Sequence, residues 1–123
     1  MTGLESYGKA VLEVSKKLGI DSLSGKGNSN YSPTSGNLME AFDFIYSKGR
    51  KAVCDSCEEE RMKFVRYSGS GDIGGLFKKI GFNSLTGCPL SEVNYEIPLA
   101  EDVFSLVKAM FDRGFCAEYE RVN

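Results

Sequence analysis

Neither histidine nor tryptophan occurs anywhere in this chain. Without histidine, the Ser-His and Cys-His nucleophile pairs, the usual proton shuttle near neutral pH and the commonest metal ligand are lost together. Acid–base chemistry would fall to carboxylate, lysine or tyrosine, and no assembled set of these is visible, so an enzyme is the least expected reading. Without tryptophan, any stacking on a ligand falls to the eight phenylalanines and six tyrosines. Long apolar runs are missing as well: none approaches the ~20 residues that cross a bilayer. The opening Met1-Thr2-Gly3-Leu4-Glu5 lacks the basic start and apolar stretch of a secretory leader, so a cytoplasmic location is expected. An excess of positive charge is absent too. The formal net charge of −2 leaves no global field to hold a phosphate backbone, which makes nucleic acid an unexpected partner.

What is present is an ordinary globular composition, 41% hydrophobic and 26% charged over 123 residues. A chain of that length buries roughly two-thirds of its unfolded surface and is expected to form one domain spanning residues 1–123. Four cysteines at positions 54, 57, 88 and 116 are read as thiols or metal ligands in a reducing compartment, since such a core needs no covalent staple.

Two segments echo each other. Asn37 to Lys48 leads to Gly49 and then Arg50-Lys51-Ala52-Val53-Cys54; Asp102 to Arg113 leads to Gly114 and then Phe115-Cys116-Ala117-Glu118-Tyr119. Each reads as a capped amphipathic helix, a basic residue with glycine, and a strand. Asn37 and Glu40 suggest a capping box, and Gly49 suits the left-handed residue after a helix. Before the first repeat, Leu4, Tyr7, Val11, Val14 and Leu18 mark a helix ending at Gly19, followed by a polar loop from Ser22 to Gly36 and a short strand near residues 20–23. Further strands are expected at residues 51–55, 61–67, 93–97 and 115–122, with a short helix from Leu76 to Ile80 stopped by Gly81. Pro98 sits where a helix can begin, and Leu99, Val103, Leu106, Val107 and Met110 form that helix's stripe. The sum is an α+β domain: an antiparallel sheet with helices on one face, in a ferredoxin-like order with an added N-terminal helix. Open sheet edges would make self-association into a homo-oligomer natural.

Several groups carry candidate chemistry. Gly69-Ser70-Gly71-Asp72-Ile73-Gly74 has the G-x-G-x-x-G spacing between an expected strand and helix, where glycines let a phosphate approach free amides. Lys78 and Lys79 would neutralise it, and Phe82 and Asn83 would stack on and bond a base. The preceding segment is amphipathic and few residues follow, which argues against a full dinucleotide fold. Cys54-Asp55-Ser56-Cys57 is a C-x-x-C that could supply half a zinc site with Cys88 and Cys116, or a redox pair, although acidic neighbours and a hairpin position favour plain core or turn cysteines. Glu58, Glu59 and Glu60 form an acidic tip suited to a basic protein partner. Lys48, Arg50 and Lys51 follow the second helix, where the helix dipole accounts for them, as it does for Glu101 and Asp102 in a first turn. The functional expectation is a non-catalytic binding module of the inhibitor, immunity or adaptor type, acting on a protein partner. The alternative is a binder of a phosphate-bearing metabolite or nucleotide.

Overall fold

Among the described residues, two helices stop at a glycine and two others meet at glycines within them. The computed structural model describes residues 3–55, 73–82 and 97–122. These contain four helices, which we label α1 (Gly3–Leu18), α2 (Ser35–Asp55), α3 (Ile73–Lys79) and α4 (Ala100–Val122). There is no strand among the described residues, only an isolated antiparallel bridge between Ile20 and Gly27. The expected α+β sheet is therefore corrected to a helical packing. The segments 51–55 and 115–122, read as strands, are the last turns of α2 and α4. The strands expected at 61–67 and 93–96 lie outside the described residues, and residue 97 has no regular structure. The open edges that argued for self-association are thus not found among the described residues.

The stops behave as helix chemistry requires. Gly19 adopts φ 79° after α1, and the Ile20 amide donates back to the Ser15 carbonyl at 2.8 Å. Gly81 adopts φ 80° after α3, with Phe82 N–H donating to Phe77 O at 2.9 Å and Gly81 N–H to Lys78 O at 3.0 Å. This is the paired bonding of a Schellman stop, and the flanking Phe77 and Phe82 are both buried. The start of α2 differs from expectation by one turn: Thr34, not Asn37, is the cap, its hydroxyl accepting the Asn37 amide at 3.1 Å.

Gly49 and Gly114 work differently, and neither has a positive φ. A Cβ at Gly49 would lie 2.1 Å from the Phe111 carbonyl oxygen, and one at Gly114 would lie 2.2 Å from the Tyr46 carbonyl oxygen. Each glycine rests on the carbonyl three residues before the other, so α2 and α4 cross backbone to backbone, with weak Cα–H···O contacts available on both sides. Among the described elements this pair packs most extensively. Around it Leu38, Ile45, Val103, Leu106, Phe111 and Phe115 are wholly excluded from solvent.

The remaining elements lean on this pair. On α1, Val11, Val14 and Leu18 are buried, and Tyr7 meets Phe111 edge-on at 5.1 Å. A helix as short as α3 is unstable alone. It is held by Phe77, Ile80 and Phe82, each worth about 1.5–3 kcal/mol when buried, with both rings edge-on to Phe42. The loop between α1 and α2 is folded rather than open: Asp21 accepts from the Leu23 amide and the Ser24 hydroxyl, and Tyr31 donates its hydroxyl to Pro98 O at 2.6 Å.

Replacing Gly49 or Gly114 by alanine should cost about 3 kcal/mol, the upper end of overpacking penalties, despite alanine's better helix propensity. Gly8, in α1 with nothing within 4 Å of its would-be Cβ, should instead gain about 0.5–1 kcal/mol on becoming alanine. Urea titration of the three variants reads both signs.

Candidate functional site

The residues singled out from sequence do not assemble. Glu58, Glu59, Glu60, Cys57, Cys88, Gly69, Gly71 and Asn83 lie outside the described residues. Gly74 is exposed in the first turn of α3, and Lys78 and Lys79 are exposed in its last turn, where the dipole suits them. Phe82, expected to stack on a base, is 1% exposed with its ring committed to Phe42. Cys54 is an exposed thiol near the end of α2, and Cys116 is partly buried on α4; the two are not joined by a disulfide. No group of three or more metal-ligating side chains occurs among the described residues.

A different cluster does assemble, and the dipole no longer accounts for it. Because α2 runs on to Asp55, its last turn holds no basic residue, and Lys48, Arg50 and Lys51 sit in the body of the helix. The dipole's influence fades within one turn, so their convergence needs another cause. Arg50 has one on α4. Its Nη2 lies 3.1 Å from Glu118 Oε2 and its Nε 3.2 Å from the same oxygen. Arg121 donates to the other face of that carboxylate, through Nε to Oε1 at 3.0 Å and through Nη2. Glu118 is 7% exposed and saturated.

Lys48 and Lys51 have no such acid. Together with Lys9 of α1 they line a cavity of about 230 Å³ between the two helices, with Ser6 and Glu13 completing its rim and Ala10 and Ala52 its buried floor. Among the described residues the ion pairs are those of Glu118, so none of the three lysines is paired. Lys51 also lines the neighbouring hollow of about 300 Å³ that contains Ser47, Arg50, Cys54 and Glu118. In the other direction along the seam, Lys48 Nζ stands 5.3 Å and Lys17 Nζ 4.9 Å from the Phe44 ring centroid. Cation–π attraction holds both ammonium groups at the seam without neutralising either. An acidic chain thus carries a locally basic groove along α1 and α2. The signal for it was in the sequence as Lys48, Arg50 and Lys51, but the assumed helix end explained it away.

Two carboxyl groups outside the groove set how the fold responds to pH. Hydrogen bonds from Arg121, then Arg50, pull Glu118 from 4.5 down to about 2. Asp112 goes the other way, raised from 3.8 to about 6 by burial, with Lys108 opposing. Burial also pushes Tyr7 up to about 12, Asp112 adding to the effect. A depressed acid stabilises the fold above its unfolded value and loses that as pH falls. A raised acid stabilises only while protonated and loses that as pH rises. Glu118 therefore destabilises the fold on acidification from about pH 4.5 to 2, and Asp112 on alkalinisation from about 4 to 6. Melting temperature against pH should show Glu118→Gln flattening the first limb alone and Asp112→Asn the second alone.

No known protein family, curated protein or solved structure matches this chain. Among the described residues no helix is long and apolar enough to cross a membrane.

Proposed function

We propose that this protein is a non-catalytic binding module of the cytoplasm that engages a protein partner through the basic groove between α1 and α2. The observation that carries this reading is the set of Lys9, Lys48 and Lys51 around one cavity, none of them in an ion pair among the described residues and with Glu13 as the one acid in the lining. Charges that pair with nothing inside the fold are available to a partner outside it. The groove lies on helices rather than loops, so its lysines are carried at fixed spacing, as a recognition surface requires. The chain has no histidine to shuttle protons beside them. The partner surface that complements this groove is acidic. That is opposite in sign to the basic partner suggested by Glu58, Glu59 and Glu60, which belong to a different part of the chain.

Complementary charge raises association rate and fixes orientation, and it is screened by salt. A peptide rich in glutamate and aspartate, titrated at low ionic strength, should shift backbone amide resonances along α1 and residues 47–52 of α2. Raising the salt to about 1 M, where the Debye length falls to about 3 Å, should abolish the shifts. The double reversal Lys48→Glu with Lys51→Glu should weaken binding about tenfold, equivalent to about 1.4 kcal/mol. Shifts elsewhere, or none, would overturn the assignment of this surface.

A further inference from the structure

We infer that the cavity framed by Lys9, Lys48 and Lys51 is a site for a phosphoryl group. This rests on the reading of the α1–α2 groove as the recognition surface and names the chemistry recognised there. The side chains left unpaired decide it. A carboxylate is best matched by the planar fork of arginine, two parallel N–H groups to two oxygens. Both arginines of this region, Arg50 and Arg121, already spend that geometry on Glu118. What remains without an ion-pair partner is ammonium: Lys9 of α1 and Lys48 and Lys51 of α2 line one cavity between the two helices. That arrangement suits a tetrahedral anion with several oxygens, which can accept from three directions at once.

The surroundings sharpen the choice. Glu13 shares the rim, so an incoming anion meets repulsion as well as attraction. A phosphoryl group at neutral pH carries about −1.5 to −2, and it prevails over one carboxylate where a monoanion gains little. The floor is made of Ala10 and Ala52, 3% and 1% exposed. Their small side chains let a bulky anion settle between the helices instead of hovering at the rim. Lys48 is half-buried and oriented by the Phe44 ring that it shares with Lys17. Two ammonium groups drawn to one ring repel each other, so turning the Lys48 side chain from the ring to an anion in the cavity relieves that repulsion. The volume of about 230 Å³ admits a phosphoryl group with part of whatever bears it. The bearer is either a free phosphorylated metabolite or a phosphorylated side chain of the protein partner.

The test compares anions on the full chain at constant ionic strength. Inorganic pyrophosphate, sulfate and citrate, and an acidic peptide with and without phosphoserine, are titrated while following the melting temperature and the lysine Hε/Cε resonances. Pyrophosphate should raise the melting temperature by mass action and move the Lys48 and Lys51 resonances. Sulfate, a tetrahedral dianion of the same shape as a phosphoryl group, should act in the same way, and citrate, a carboxylate anion, should be at least tenfold weaker than pyrophosphate. Lys48→Gln with Lys51→Gln should lose that response, and Glu13→Gln should strengthen it. Lys78→Gln with Lys79→Gln, on α3, should leave it unchanged and control for charge alone. A phosphopeptide bound at least tenfold tighter than its plain form supports the site and places the phosphoryl group on the partner. Pyrophosphate binding with no response to either peptide supports the site and overturns the protein-partner reading. Equal binding of the two peptides overturns the phosphoryl assignment and leaves the acidic-partner reading standing. No response to any of the probes overturns both.

Discussion

Where α2 crosses α4, the separation of the two helices is set by main chain on each side. Gly49 lies against the carbonyl of Phe111, and Gly114 against the carbonyl of Tyr46. Glycine costs a helix interior about 0.5–1 kcal/mol, and two such positions are tolerated because close approach lets the flanking side chains seal the interface. Phe111 and Phe115 then reach zero exposure against α2, and Phe111 also receives Tyr7 from α1. The order of causes runs outward from the crossing. First the paired glycines fix the α2–α4 distance, then the aromatic layer fills it, then α1 and α3 dock on what remains apolar.

The same crossing determines the chemistry of the surface. Glu118 lies one turn beyond Gly114, and Arg50 lies directly after Gly49, so the close approach brings the acid and the base together. Arg121, one turn further along α4, closes on the same carboxylate. Two of the region's strongest cations are consumed in that way. The lysines one residue to either side of Gly49 and Arg50 on α2 line the cavity against α1 instead and form no ion pair among the described residues. The basic groove is therefore a by-product of how tightly the helices cross, with charge left over on the face that α4 does not use.

Much of this was legible along the chain, though not in the form first read. The stripe of α1, its stop at Gly19, the stop of α3 at Gly81 and the stripe of α4 from Val103 to Val107 all follow from local periodicity and glycine chemistry. So did the echo between residues 37–54 and 102–119, which survives as the reciprocal contact of Gly49 and Gly114. What failed was the meaning assigned to those two glycines. After an amphipathic run, glycine signals a helix end far more often than a helix contact, and only the distant partner helix distinguishes the two. Taking Gly49 and Gly114 as stops turned residues 51–55 and 115–122 into strands and built a sheet from them. A period-based signal was available: Leu38, Phe42, Ile45, Gly49 and Ala52 alternate steps of four and three, and the run is broken only if glycine is not counted as an interface residue. The site was lost through the same error, because ending α2 at Lys48 supplied a dipole explanation for cations that the longer helix leaves unexplained.

The most direct measurement is a double-mutant cycle on the two glycines, with unfolding free energies for G49A, G114A and the double variant. If the helices are held together at one shared crossing, the first methyl group already forces them apart and the second finds the space made. The double variant should then fall short of the summed single losses by about 1 kcal/mol or more. Losses that add within about 0.3–0.5 kcal/mol would mean that the glycines act at separate places, and would contradict the crossing on which the rest of the account depends.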